Sequence, residues 1–316
     1  MYYIGIDLGG TNIAIGIVNE KGKLLIKRSI PTGAHRHADE IVKDMAGLCE
    51  ELIGEYGITV DDIEYVGIAT PGTADHNKGI VVYTNNLDFL NYPLADKFKQ
   101  FLAVKNVLIE NDANAAAKGE AECGAAKGYK HSVMITLGTG VGGGIIIDNK
   151  VYSGFNYAGA ELGHTVIEAG GKPCTCGRKG CWEAYSSATG LINMTKEKLS
   201  ETKDTIMWEM VDKDINRVTG RTAFDAMRKG DKAGKEVVDK YIYYLAAGIT
   251  NMINIFQPEV LVIGGGVCNE KNYLTDPLKK IVDVEQYSRY SENKTEIKIA
   301  ELGNDAGIIG AAMLGF

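Results

Sequence analysis

Cys174, Cys176 and Cys181 fall within one short stretch, with His164 ten residues upstream of the first. Residues two apart in an extended segment point to the same side, and a turn framed by Gly177 and Gly180 can bring Cys181 back beside the other two. Three thiols and an imidazole are the ligand types that zinc takes in tetrahedral sites. A disulfide and buried, inert cysteines are the rival readings. A bridge between cysteines two apart closes a strained ring, and any pairing leaves one thiol over. Glu161 precedes His164 by three residues, so a local helical turn would aim both at one ligand.

Two glycine-rich stretches suggest a second chemistry. Leu8-Gly9-Gly10-Thr11-Asn12 follows one apolar run, and Gly138-Thr139-Gly140 follows another. Gly138 to Gly143 matches G-x-G-x-x-G as a string, but that fingerprint must open a helix, and Ile145 to Asp148 reads as a returning strand. No P-loop pattern occurs. The expectation is a pair of hairpin turns whose bare backbone N–H groups approach phosphate oxygens, although glycines also serve turn geometry alone. Thr11 and Thr139 offer hydroxyls to phosphate or to neighbouring backbone. Asp7, at the end of the first strand, can hold Mg²⁺ directly or through water, or simply form the turn. Asp112 sits where a strand ends and a helix begins, a position that suits either an N-cap or a general base for an attacking hydroxyl. Phosphoryl transfer needs positioning, charge neutralisation and one such base.

The elements that must position these residues read as α/β. Strands are expected at Tyr2–Asp7, Ile13–Val18, Lys23–Ile30, Tyr65–Ala69 and Val107–Glu110, with helices at 39–56, near Pro93 and at 113–126. Thr70-Pro71-Gly72 and the stretch holding Asp75, Asn85 and Asn86 read as loop. The opening pattern of strand, glycine turn and strand then recurs from Ser132, so the chain reads as two similar lobes with the two turns facing one elongated anion across a cleft. Mostly helical chain from Glu183 to about Phe256 follows, then a strand at Val260–Ile263, Gly264-Gly265-Gly266, a helix at 272–284, a strand at 297–301 and a small-residue helix at 306–314. The expected division is an N-terminal lobe over 1–112, with a helix of about 303–316 packing back on it, and a C-terminal lobe over 113–302 that contains the cysteine segment 161–183.

With 316 residues, 45% hydrophobic and 24% charged, the chain can bury a large core without disulfides. A net charge of -7 argues against a nucleic-acid surface. No apolar run has the length of a membrane span, and the chain begins in a strand rather than a signal peptide. Six cysteines in that context read as reduced, cytoplasmic thiols, with Cys49, Cys123 and Cys268 as packing residues.

Asp7-Leu8-Gly9-Gly10-Thr11, Thr70-Pro71-Gly72, Glu110-Asn111-Asp112-Ala113-Asn114, the glycine run from Gly138, Glu161-x-x-His164 and the cysteine cluster with Trp182-Glu183 together resemble the ROK family of sugar kinases, repressors and related proteins. The resemblance runs through nearly the whole chain. It implies an actin-like ATPase fold, a duplicated RNase-H-type architecture with ATP in the cleft, and ATP-dependent transfer to the 6-hydroxyl of glucose with Asp112 as base. It implies that Gly72, Asn86, Asn111, Glu161, His164 and Glu183 contact the hexose. ATP would meet Asp7, Gly9 to Asn12 and Gly138 to Gly140, with Gly264, Gly265, Gly266 and Val267 near the adenosine. His164 would serve twice, one ring nitrogen on a structural zinc and the other on a sugar hydroxyl. Asn86-Leu87-x-Phe89 is similar to an Asn-Leu-x-Trp run common in the family's glucose-specific members, with Phe in place of Trp. N-acetylmannosamine or N-acetylglucosamine is the alternative acceptor, polyphosphate an alternative donor, and a non-catalytic sugar sensor the alternative class. Family members are usually dimers or tetramers, so a homo-oligomer is expected.

Overall fold

Alternation in the first seven-residue strand sets up the first layer. In β1 (Tyr2–Leu8), Ile4, Ile6 and Leu8 enter one core, while Tyr3 and Gly5 turn to the other face. The computed structural model, which describes residues 1–316, continues this sheet with β2 (Asn12–Asn19) and β3 (Leu24–Pro31). After α1 (Ala38–Tyr56) come β4 (Ile63–Thr70), β5 (Thr73–Asp75), β6 (Ile80–Tyr83), β7 (Leu90–Tyr92), α2 (Leu94–Phe101), β8 (Val107–Asn111) and α3 (Asp112–Cys123). The sheet order is β3-β2-β1-β4-β8. β1 to β3 pair antiparallel, and β4 and β8 add in parallel. α1 starts on a His37 cap, ends on Gly57 in the left-handed conformation, and buries Ile41, Met45, Leu48 and Leu52 toward the sheet. The small sheet β5-β6-β7 was expected as loop; its strands have three, four and three residues.

The pattern then repeats. β9 (Ser132–Leu137), β10 (Val141–Ile147) and β11 (Lys150–Val151) are followed by a long connection, by α4 (Glu183–Ser186), α5 (Ala188–Glu201), α6 (Met207–Met210), α7 (Thr222–Arg228) and α8 (Lys232–Phe256), and by β12 (Val260–Gly264), α9 (Asn272–Glu285), β13 (Glu296–Ile299) and α10 (Ala306–Ala312). The second sheet has the order β11-β10-β9-β12-β13. A three-strand meander with two further strands beside its first strand therefore occurs twice. The returning strand of the second copy starts at Val141, four residues earlier than expected, because its glycines lie inside the strand. At Gly144 a Cβ would meet Ala117 and the Ala113 carbonyl, so α3 packs directly on bare backbone.

The chain divides into two compact units. Unit 1 comprises Met1–Met134, Gly144–Ala160 and Ala300–Phe316, and unit 2 comprises Ile135–Gly143 and Glu161–Ile299. α3 thus falls in unit 1, whereas the expected boundary preceded it. α10 lies on the face of the first sheet opposite α1. A Cβ on Gly5 would strike the Ile308 carbonyl, one on Gly67 the Ala311 carbonyl, and one on Gly310 the Ala115 carbonyl. Helix and sheet approach through glycines here, and the Tyr65 hydroxyl donates to the Ala312 carbonyl at 2.5 Å. In unit 2, α8 is the central helix. Its Asp231 cap accepts from Gly234 N at 2.7 Å, and it buries Val237, Tyr241, Leu245 and Ile249. No helix is long and apolar enough to cross a membrane.

Candidate active site

In unit 1, β8 delivers Glu110-Asn111 to the start of α3. The N-cap is Asn111: its Oδ1 accepts from Ala113 N at 2.9 Å and from Asn114 N at 3.2 Å. The sequence left the cap open to Asp112. Asp112 instead is the first helical residue, with its own Oδ1 accepting from Ala113 N at 2.8 Å. The Asn111 Nδ2 donates to the Gly72 carbonyl at 3.0 Å. Gly72 has φ of 81°, and a Cβ there would collide with the Tyr83 carbonyl, so no other residue fits the turn. Two residues expected at the hexose thus brace each other.

Asp7 is the last residue but one of β1 and lies near the start of α10, where a Cβ on Gly307 would run into its carboxylate. Burial, and then the charge of Asp112, push the Asp7 carboxyl up to about 6. No basic side chain offsets these two influences. A half-buried carboxylate left so is a donor that a hard divalent cation would ionise and stabilise, so the residue fits Mg²⁺. The first glycine turn closes with Gly9 N donating to the Asn12 carbonyl at 2.9 Å and Thr32 N to the Thr11 carbonyl at 2.8 Å. Asn86 lies against this turn, since a Cβ on Gly10 would meet its Nδ2. The loop carrying Asn86 is held from within. Phe89 is buried and stacks on Tyr92 at 4.9 Å, and the Thr84 hydroxyl donates to the Leu87 carbonyl at 2.7 Å. Phe89 fills core volume, a role that needs an aromatic ring and no indole N–H.

In unit 2, Glu161 caps a single turn, Leu162–His164, and accepts from His164 N through its carbonyl at 3.1 Å. The segment beyond it is a knuckle. Cys174 N donates to the Arg178 carbonyl at 2.9 Å, Gly177 N to the Cys174 carbonyl at 3.0 Å and Gly180 N to the Lys172 carbonyl at 2.7 Å. Gly177 and Gly180 take φ of 88° and 81°. All six cysteines are free thiols. The ligand atoms of His164, Cys174, Cys176 and Cys181 lie within 4.8 Å of one another. Cys174 Sγ is 3.7 Å from His164 Nδ1, and Cys176 Sγ is 3.7 Å from Cys181 Sγ. Tetrahedral zinc, with Zn–S of about 2.3 Å and Zn–N of about 2.0–2.1 Å, separates its ligand atoms by about 3.5–3.8 Å. The donor set fits that ion. Without an ion, burial and the neighbouring Cys176 and Cys174 thiols push Cys181 up to about 12, whereas the Arg178 amide favours the Cys176 thiolate.

The knuckle is joined to the second glycine turn by Glu183. One carboxylate oxygen accepts from Val141 N at 3.0 Å, and the other from the Thr175 hydroxyl at 3.3 Å. That carboxylate occupies the space a Cβ on Gly140 would take. The turn itself closes with Gly138 N donating to the Gly140 carbonyl at 3.1 Å, and α5 holds it from behind through Ala188 N on the Gly138 carbonyl and the Thr189 hydroxyl on the Thr139 carbonyl, both at 2.8 Å. Trp182, between Cys181 and Glu183, is wholly buried with its Nε1 donating to the Tyr244 carbonyl at 3.1 Å. Gly264 ends β12, and Gly265, at φ of 94°, presses on the backbone of Leu137, so the stretch to Val267 neighbours the Gly138 turn. A cavity of about 450 Å³ is lined by Thr139, Cys174, Thr175 and Glu183 together with Asn193 and Lys196 of α5. Sequence reasoning missed Thr175, Asn193, Lys196 and the Glu110–His76 pair. The α5 residues carry no motif, only i, i+4, i+7 spacing from Thr189 that marks one helix face.

A duplicated sheet with a glycine turn after the first strand of each copy defines an actin-like ATPase fold. The ROK family pattern matches residues 3–315, and the chain belongs to this family. It is 36% identical over 315 residues to a glucokinase of Halalkalibacterium halodurans, covering 99% of this chain and 94% of that protein. It is also 36% identical to a glucokinase of Thermotoga maritima, over 98% of this chain and 96% of that one. Among solved structures it resembles a ROK family glucokinase from Streptomyces griseus in complex with glucose and AMPPNP, with a TM-score of 0.82, 33% identity and 99% of both chains covered.

Proposed function

We propose that this chain is an ATP-dependent glucokinase that converts glucose to glucose 6-phosphate in the cytoplasm. The observation that carries the reading is the placement of Asp112. It opens α3 beside the Asn111 cap, and it shares its electrostatic environment with Asp7, the half-buried carboxylate just ahead of the first glycine turn. Likeness to glucokinases along the whole chain favours glucose as acceptor over the N-acetylhexosamines, and the intact Asp112 and glycine turns weigh against a sensor that binds sugar without reacting.

Asp112 acts as the general base, taking the proton from the 6-hydroxyl as it attacks the γ-phosphorus of ATP. Asn111 fixes the first turn of α3 and so the direction of that carboxylate. Asn86, Gly72 and Asn111 in unit 1, and Glu161, His164 and Glu183 in unit 2, supply hydrogen bonds to the remaining sugar hydroxyls. The amides around Gly9 to Asn12 and Gly138 to Gly140 meet the phosphates, and Gly264 to Val267 lies by the adenosine. When bound, Mg²⁺ neutralises phosphate charge next to Asp7. His164, Cys174, Cys176 and Cys181 would hold zinc, which would supply a structural clamp rather than Lewis acidity. Because His164 Nδ1 is the nitrogen turned to the cysteines, Nε2 is left for the sugar.

The test is sugar-dependent ADP release with a panel of hexoses. Glucose should give the highest kcat/KM, and Asp112→Asn should lower kcat by about 10²–10⁴-fold while glucose binding by calorimetry persists. A variant that still turns over at the wild-type rate removes Asp112 from the role of base.

A further inference from the structure

Glu110 is 4% exposed, yet it is a carboxylate that does three jobs. Its Oε1 accepts from Asn111 N at 2.8 Å and from Asn114 Nδ2 at 3.1 Å, and its Oε2 lies 3.1 Å from His76 Nδ1. No lysine or arginine is within ion-pair distance, and His76 is its one basic partner. A buried carboxylate without a counter-charge either takes up a proton or turns away toward solvent. Either response loosens the acceptor that fixes the backbone of Asn111 and the side chain of Asn114, on both sides of Asp112. His76 reaches the carboxylate from the turn between β5 and β6, with the edge of its ring against Tyr157 at 4.8 Å.

We infer that His76 is a positioning residue for phosphoryl transfer, acting through Glu110 on the junction of β8 and α3 that aims Asp112. This rests on the reading of Asp112 as the base. His76 touches neither phosphate nor sugar in this role; it supplies the donor and positive charge that keep the Glu110 carboxylate pointed at Asn111 and Asn114. The groups facing the imidazole are Glu110, Asp75, which is itself paired with Lys78, and the Tyr157 ring. The Glu110 carboxylate holds the imidazolium above its ordinary value, overcoming burial. A raised histidine is fully charged below about 6.5 and loses its charge as pH climbs through the elevated value, so the positioning effect belongs to the acid and neutral side and fades on the alkaline side.

The experiment compares wild type with His76→Gln, His76→Ala, Glu110→Gln and the His76→Ala/Glu110→Gln pair in ADP release across pH 5.5 to 9. Imidazole and amide can both donate to Glu110, but only imidazole titrates. His76→Ala should lower kcat by roughly tenfold at neutral pH, within the range that a small misplacement costs, with the KM for ATP unchanged. His76→Gln should lose less and should lack the alkaline decline of kcat that wild type shows. The paired variant should be no slower than Glu110→Gln alone. Wild-type kcat in His76→Ala, an unchanged alkaline decline in His76→Gln, additive losses in the pair, or a loss matched by the fall in folded fraction would each overturn the inference. Asp112→Asn measured alongside separates the two ideas. If it is inactive while His76→Ala is normal, only the positioning role fails; if it stays active, the base assignment fails and takes this inference with it.

Discussion

Gly248→Ala is a small change with a large expected effect. Gly248 lies inside α8, where alanine is ordinarily the better helix former by about 1 kcal/mol. Here a Cβ would sit 1.9 Å from Trp182 Cε2 and 2.3 Å from its Cδ2 and Nε1. Carbon atoms in contact need about 3.5 Å, so the indole has to move by roughly 1.5 Å. Trp182 is wholly buried and tied to the Tyr244 carbonyl, so it cannot swing into solvent. Overpacking of this kind costs about 1–3 kcal/mol, which outweighs the helix-propensity gain and leaves unit 2 folded but strained. The consequence for activity is greater, because Trp182 separates Cys181 from Glu183. Displacing it shifts Cys181, a thiol of the proposed zinc site, together with the carboxylate that grips Val141 and Thr175. A misplacement of about 1 Å can cost on the order of 10²-fold in rate, so kcat/KM for glucose should fall by about that factor while the melting temperature drops by only a few degrees. The assay is coupled ADP release with zinc content and calorimetry on the same preparation. A Gly248→Ala protein with wild-type kcat/KM would refute the reasoning, since the indole would then have been accommodated without disturbing its neighbours.

Three further outcomes are expected. Purified without an affinity tag, the protein should hold about one zinc per chain, and a chelator should raise the glucose KM and expose the amides of residues 174–180 to hydrogen exchange, since structural zinc contributes about 10–16 kcal/mol of apparent binding energy; an active, zinc-free preparation contradicts this. Asp7→Asn should be less active but more stable at pH 7.5. The folded-state carboxyl is held at about 6, above its ordinary 3.8, so the folded form binds the proton more tightly and wild-type stability falls as pH rises from about 4 to 6; the gain, on the order of 2–3 kcal/mol, should show in urea titrations at pH 7.5 and vanish near pH 4. Glu120→Ala should destabilise unit 1 by about 3 kcal/mol or more, because this fully buried carboxylate accepts from Ala125 N, Glu301 N and Leu302 N at 2.7, 3.1 and 2.8 Å; a denaturation midpoint equal to wild type would show that water replaces it.

The long periodic segments were legible from sequence, because α1, β1 and β9 each carry an apolar pattern over six residues or more, and α3 is rich in alanine. The grouping of His164 with Cys174, Cys176 and Cys181 was legible for a different reason. Cysteine and histidine spacing limits geometry strongly, and Gly177 and Gly180 supply the backbone freedom the knuckle needs. What stayed hidden depends on contacts distant in sequence. The β5-β6-β7 sheet has strands too short for alternation to register. The choice of Asn111 over Asp112 as cap is decided by one residue of helix phase, which pattern reading does not resolve. His76 meets Glu110 across 34 positions of chain, and nothing in the spacing of either residue announces the pair. Glu183 was expected to reach the sugar, but its hold on Val141 follows from the close approach that Gly140 permits, a property of packing rather than of motif.

The seam of glycines beneath α10 bears on how this protein is made. The strands that Gly5 and Gly67 belong to leave the ribosome early, yet the surface they present is completed only by Ile308, Ile309, Ala311 and Ala312. During synthesis the first sheet must wait, one face uncovered, until about two hundred residues have followed its last strand. Maturation of unit 1 is therefore a late and abrupt event, and nascent chains halted before Ala306 should remain clients of chaperones.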